Sequence, residues 1–492
     1  MTSVRRALAL SFLERYLTLV LALASNIILA RLLTPEEIGI YSVSLAVIGI
    51  AQVLRDFGIG NFLIQEKDLS DDHIRTAFGM SLLLGGGLFL IVLLLAPMAA
   101  RFYEDERMLQ TLRISSLNFA ILPFCTISLS LLRRELQFKR LLYVNLVAAL
   151  VGFCSTIALA WAGFGANSMA ISAVATNICV GVGAWVAQAQ RRILLPSLSR
   201  WRQLLRFGGQ SAAVNVVTTV SMDINDLALG KILGFTPVAL FSRAQGLVNL
   251  FSRDLMGAVR NVAFPAYAQT HRCNGSVEAQ YISSVGGVTA FAWPFFGFMA
   301  LFPLEVLRLL YGPQWDAAAK LVPPLAVAGG LYAASSLIST LLMAAGRMDQ
   351  VARLELIFQP LRAVIIVAAA LVFRSLEACV WAYLLCFIIY VPLSYGVKNA
   401  SLASDWSALR HQLFCSLKIT VVTLALPGAL SFWYGLDRAA PMSAGWFAMV
   451  ILSGILCWVA GLRISEHPLA SDPLMQRWMR HFPGLRLTPR RG

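Results

Sequence analysis

Apolar runs of roughly 18 to 25 residues follow one another from residue 13 to residue 462. A run of that length is what a helix needs to cross a hydrocarbon core about 30 Å thick. Lipid offers the backbone no hydrogen-bond partners, so a chain patterned this way is confined to a bundle of spanning helices. The reading predicts an all-α fold with about fourteen spans, at 13–30, 38–54, 77–100, 114–132, 142–162, 167–188, 208–230, 237–256, 282–307, 321–344, 355–373, 376–397, 413–434 and 443–462. Composition agrees: 13% of the 492 residues are charged, against about a quarter in soluble domains. The first run is too long for a cleaved signal peptide, so the first helix is expected to be retained.

The net charge of +15 raises nucleic acid as a partner, but the placement of the bases argues for topology instead. With a cytoplasmic N-terminus, thirty of the forty basic residues fall in segments on the inner side and nine on the outer, with Arg243 left within a span. The positive-inside rule then predicts a multi-pass protein with both termini cytoplasmic. The eight cysteines include no CxxC pair and lie mostly inside apolar runs, and the five histidines form no HExxH. No GxxxxGK[ST] loop occurs either. Disulfide scaffolding, zinc hydrolysis and ATP-driven pumping are therefore without support, and no cofactor is expected.

The chain echoes itself. "ARLLTPEEIGIYS" from Ala30 is matched by "GKILGFTPVALFS" from Gly230, which pairs Arg31 with Lys231, Tyr41 with Phe241 and Asn26 with Asp226. Arg134-x-x-Gln137-x-x-Arg140-Leu141 returns as Arg347-x-x-Gln350-x-x-Arg353-Leu354, and Tyr103 aligns with Tyr311 in a looser third echo. Six spans separate the first echo from its copy. An even number preserves orientation, so the halves are expected to be parallel repeats, as in some secondary transporters. The predicted organisation is a six-helix lobe over 1–205, a second over 206–400, an additional helix pair over 401–465 and a basic cytoplasmic tail over 466–492.

Four stretches carry a likeness to a known family: "NIILARLLTPEEIGIYSVSLAVIGIAQVLRDFGIGNFLIQ" from Asn26, "LLRRELQFKRLLYVNLV" from Leu131, "LFSRAQGLVNLFSRDLMGAVRNVAFPAYAQ" from Leu240 and "LYGPQWDAAAKLVPPLAV" from Leu310. Over roughly residues 10 to 400 the chain resembles bacterial polysaccharide flippases of the Wzx type. These belong to the superfamily that also holds multidrug antiporters and peptidoglycan-precursor flippases. The resemblance implies transport of an undecaprenyl-pyrophosphate-linked oligosaccharide across the inner membrane for O-antigen, capsule or exopolysaccharide synthesis. It implies membrane lipids and polysaccharide polymerase machinery as further partners, and no bond-breaking chemistry. Physically, one hydroxyl buried without a partner costs about 4 kcal/mol or more on an alkane scale, so a sugar head group needs a polar passage.

Candidate residues follow from the cost of charge in a span, about 2.5 to 3.5 kcal/mol for a base at mid-helix. Arg243 is either a cavity cation for a pyrophosphate or acidic sugar, or the partner of Asp223 or Asp226 in a helix-locking pair. The seventh span, with Asn215, Thr218, Thr219, Asp223, Asn225 and Asp226, is too polar to face lipid. Asp223 and Asp226, three apart, share a helix face, which suits proton or sodium coupling, sugar contacts or structural pairing. Asn26 shares the cavity by repeat position. Arg31 and Lys231 either meet phosphate or snorkel to the interface. The cytoplasmic cluster Arg133, Arg134, Lys139 and Arg140 serves topology and anionic lipid, or captures pyrophosphate. Pro123, Pro294 and Pro303 are candidate kinks. Two alternative functions stay open: a cation-coupled multidrug antiporter, and a membrane-bound glycan polymerase or ligase, which the short outer loops disfavour.

Overall fold

The computed structural model describes residues 2–55, 58–66, 68–135, 137–188, 195–273, 275–434, 442–465, 467 and 469, without the side chains of 2–13, 15, 54, 61, 203, 205–218, 222, 254 and 434. Those residues are helical apart from turns and short connections. The chain divides into two compact units, Met1–Ala239 and Leu240–Gly492.

The first unit holds α1 (Thr2–Leu32), α2 (Pro35–Arg55), the short α3 (Ile59–Gln65), α4 (Asp71–Tyr103), α5 (Glu106–Arg134), α6 (Phe138–Trp161), α7 (Ala166–Ala187), α8 (Trp201–Ile232) and the start of α9 (Phe235–Asn249). The second holds the rest of α9, a π-helical turn at Leu250–Leu255, α10 (Met256–Arg272), α11 (Val277–Leu301), α12 (Pro303–Leu310), a 3₁₀ segment Pro313–Leu321, α13 (Val322–Ser335), α14 (Ile338–Ala344), α15 (Met348–Phe373), α16 (Leu376–Asn399), α17 (Trp406–Tyr434) and α18 (Ala444–Ile464). Among the described residues, eleven helical stretches are long and apolar enough to cross a membrane, and Tyr16–Leu32 is a shorter apolar one. The chain is thus an all-α, multi-pass membrane protein.

Two expected spans take a different form. The run at 237–256 continues as helix through the π-turn to Arg272, because charges such as Arg253 and Arg260 end an apolar run without ending a helix. The run at 282–307 breaks at Phe302, and Pro303 opens α12 at its first position, where its missing N–H goes unneeded. Pro123 and Pro294 do lie inside helices, in α5 and α11.

Between helices in lipid, packing rests on close backbone approach and interhelical hydrogen bonds rather than on apolar burial. In the first unit the Gly152 carbonyl of α6 accepts from Thr156 Oγ1 at 2.6 Å and from Ser172 Oγ of α7 at 2.8 Å. Asn177 of α7 donates to Asn118 of α5 at 2.7 Å. In the second unit Lys398, at the end of α16 and fully buried, donates from Nζ to Glu278 Oε1 of α11 at 2.7 Å and to Ser404 Oγ at 2.9 Å, over the Tyr281 ring at 4.9 Å. Glu278 also accepts from the Asp405 N–H. Lys398 thereby fastens α11, the end of α16 and the lead-in to α17 together.

Candidate functional site

The polar half of α8 is set by its contact with α2. A methyl at Gly49 of α2 would lie 2.5 Å from the Asp223 carboxylate, and one at Gly230 of α8 would lie 2.7 Å from Val43 of α2. Gly39 is tighter still, since a methyl there would collide with the Phe235 carbonyl at the start of α9. The absent side chains let the two helices meet along their length, and at Gly49 the space is taken by a carboxylate. Asp223 and Asp226 are half-buried and Asn225 is buried. The Asn225 Oδ1 accepts no hydrogen bond among the described residues. From the end of α4, Tyr103 Oη donates to the Leu227 carbonyl of α8 at 2.9 Å. The side chain of Asn215 lies outside the described residues.

In the second unit Arg243 of α9 is 8% exposed, with its guanidinium 5.3 Å from the centroid of Tyr311 and 5.1 Å from that of Trp315. The segment from Arg308 to Asp316 builds this aromatic seat. Gly312 adopts φ 99°, open to glycine and strained for any other residue, and turns the chain from α12 into the 3₁₀ segment. Arg308 then grips Asp316 side-on, with Nε donating to Oδ1 at 2.7 Å and Nη2 donating to Oδ2. Trp315 is fully buried and Tyr311 nearly so. Stacking of a guanidinium on such desolvated rings is worth about 2 kcal/mol. The π-turn begins seven residues after Arg243, a helical irregularity that recurs at functional sites.

Sequence reasoning missed two things here. "LYGPQWD" is a visible motif, yet nothing in it says that its rings receive Arg243. Arg362 carries much the same signal as Arg243, a base well inside an apolar run (355–373), yet it stands among the thirty inner-side bases of the expected topology. In the structure it lies over the Tyr383 ring of α16 at 5.8 Å. Two turns before it, Glu355 accepts from Gln359 at 2.7 Å and from Tyr390 at 3.1 Å. Arg362, Glu355 and the Tyr383 and Tyr390 rings give the second unit a polar, aromatic cluster built on α15 and α16.

The other predicted cations occupy helix ends. Arg134 Nη1 donates to the carbonyls of Leu63 at 2.9 Å and Glu66 at 2.6 Å, closing the C-terminus of α3. Arg140 Nη1 donates to the Ala187 carbonyl at 2.6 Å, closing α7. Lys231 reaches the Phe102 carbonyl at 2.5 Å and Glu104 at 3.0 Å, at the end of α4. Orphaned carbonyls and the negative end of the helix dipole attract such groups. Arg133 and Lys139 are exposed, as are Arg31 and Asn26.

The comparisons with known proteins agree with this architecture. The chain is 24% identical over 418 residues to the lipopolysaccharide biosynthesis protein WzxC of Escherichia coli, covering 83% of this chain and 84% of that one. It is 24% identical over 339 residues to the succinoglycan biosynthesis transport protein ExoT of Rhizobium meliloti, covering 67% of each. A solved structure of the lipid II flippase MurJ, in an inward closed conformation, matches with a TM-score of 0.72 at 13% identity, over 93% of this chain and 98% of that one. At that identity the likeness establishes the fold. Residues 28–320, more than half of the chain, match the family described as polysaccharide biosynthesis protein, so the chain belongs to that family of Wzx-type exporters.

Proposed function

We propose that this protein flips a polyprenyl-pyrophosphate-linked oligosaccharide across the bacterial inner membrane, for O-antigen, capsule or exopolysaccharide synthesis, by alternating access between two lobes. The observation that carries the reading is the pairing of family membership with buried and half-buried in-span charge: Arg243 on its aromatic seat, Arg362 over Tyr383, and the Asp223 and Asp226 carboxylates on α8. A sugar pyrophosphate leaving water needs cations for its phosphates, hydrogen-bonding groups for its hydroxyls and ring faces for its apolar sides. The cost of leaving these groups unmet is several kcal/mol each.

In this reading the chain has fourteen spans with both termini cytoplasmic, lobes at 1–205 and 206–400, a helix pair at 401–465 and a cytoplasmic tail at 466–492. Support for two parallel lobes comes from the helix boundaries: α1 and α8 end at Leu32 and Ile232, and α2 and α9 begin at Pro35 and Phe235, each pair two hundred residues apart as the echo is. Asp223 and Asp226 take up a proton or sodium ion that couples transport, with Asn26, Asn215 and Asn225 in the same passage. The name of the relative ExoT, a transport protein of succinoglycan biosynthesis, points to the same class of cargo.

In a deletion strain lacking homologous transporters, lipid-linked repeat units should accumulate on the cytoplasmic face while their synthesis continues, and the wild-type gene should restore export. Unchanged arrival of those units at the outer face would overturn the assignment. Arg243→Ala at normal abundance should reduce export about tenfold or more, the equivalent of losing one charge-assisted contact of about 1.5 to 3 kcal/mol.

A further inference from the structure

A groove of about 530 Å³ lies on the first unit between α4, α5 and α7. Its lining includes Phe78, Phe124, Ile127, Ile178, Val182 and Trp185. On α7 the lining residues fall at 178, 182 and 185, a spacing that holds one helix face. Gly181 on the same face brings α7 against α5, since a Cβ there would lie 2.9 Å from Cys125 Sγ. Phe124, Ile178, Val182 and Trp185 are 54%, 47%, 58% and 42% exposed, so the groove opens sideways and not into the packed interior.

One end of this groove adjoins basic residues. Its lining at Gln188 sits beside the Ala187 carbonyl that receives the Arg140 guanidinium. Arg75 lies one turn before Phe78 on α4 and donates from Nε to the Leu195 carbonyl at 3.1 Å. Ile127 lies seven residues before Arg134, or about 10 Å of helix below the basic end. Two guanidinium groups, those of Arg75 and Arg140, therefore stand beside one end of the greasy floor, and the complement of that pattern is a hydrocarbon chain carrying an anionic head.

We propose that this groove seats the head-proximal part of the isoprenoid chain of the lipid carrier, with Arg75 and Arg140 facing its diphosphate. The proposal rests on the flippase reading above and adds to it where the tail of the cargo docks. At about 30 Å³ per water-sized group, 530 Å³ takes about eighteen carbons, the equivalent of three to four isoprene units. The Phe78 and Phe124 rings, edge to face at 5.4 Å, give flat surfaces for methyl-branched, unsaturated units.

The test uses the full-length protein in phosphatidylcholine nanodiscs and a benzophenone-bearing polyprenyl diphosphate. The adduct should map to the α7 peptide containing Val182 and Trp185. Unlabelled undecaprenyl phosphate should displace it, and dioleoylphosphatidylglycerol should not. Val182→Trp fills the groove from an exposed position and should cut the adduct about tenfold, as expected for a few displaced methylene contacts. Val186→Trp, on the same helix, half exposed and outside the lining, should leave it unchanged. If Val182→Trp fails to accumulate, Ile178→Trp carries the test. Adducts elsewhere, equal displacement by phosphatidylglycerol, or an undiminished adduct in the filled groove would overturn the proposal. Export in the deletion strain separates the two readings: full export by Val182→Trp sinks the tail site alone, and no rescue by the wild-type gene sinks the flippase.

Discussion

Lys398→Met isolates what a buried ion pair does in this fold. Methionine keeps the aliphatic length that packs over Tyr281 and removes the ammonium, leaving Glu278 facing a partner that no longer exists. Deleting one member of a buried pair costs about 3 to 5 kcal/mol because the other charge is stranded. Two features put this case at the low end. The Glu278 side chain is 18% exposed, and it still accepts from the Asp405 N–H at 3.3 Å. The expected loss is about 3 kcal/mol, which for a unit of this size lowers Tm by about 6 to 12 °C. The assay is thermal unfolding of purified wild type and variant in one detergent at one scan rate. The double variant Lys398→Met with Glu278→Met removes the stranded charge and should recover about 1 to 2 kcal/mol relative to additivity. A single variant within about 1 °C of wild type, or strictly additive losses, would show that the pair is not the fastening that its burial implies.

Gly49→Ala should push the Asp223 carboxylate off its seat and cost about 1 to 3 kcal/mol as an overpacked contact. Export should fall at retained abundance, and normal export with unchanged Tm would refute the idea that α2 shapes the α8 acids. Trp315→Leu removes one ring beneath Arg243 and should lower stability by about 2 kcal/mol or more through lost stacking and a cavity; a Tm shift below about 2 °C would count against the aromatic seat. Asp105 caps α5, and although burial alone would raise its carboxyl, the hydrogen bonds and charge of Arg107 outweigh it and hold the pKa below the ordinary carboxylate value. A lowered folded pKa means that this contribution is full above the unfolded value and is lost as pH falls through the folded one. The Tm gap between wild type and Asp105→Asn should thus be constant near neutrality and close in acid.

The membrane class was legible in the sequence because a span announces itself within one run of residues. The exposure of Arg243 as an in-span base was equally local. Its partners were not: Tyr311 and Trp315 lie about seventy residues further on, and only the turn at Gly312 brings both rings to it. Lys398 read as one more inner-side base, yet it is fully buried because Glu278, over a hundred residues earlier, waits at the start of α11. Helix limits drifted for a related reason. Hydropathy marks where oil ends, and α10 runs on past that point to Arg272 while Phe302 stops α11 within it. Periodicity and charge tallies report the environment of a residue's own helix, and the partner on another helix is what they omit.

The guanidinium groups of Arg134 and Arg140 each sit on the last carbonyls of a neighbouring helix. Basic residues are also what the insertion machinery reads when it fixes which way a segment threads. In the expected orientation, the same two side chains would serve as an address label during synthesis and as a knot afterwards. Moving them would take the donors from the last carbonyls of α3 and α7, so a change that touches threading here also touches the packing of two helix ends.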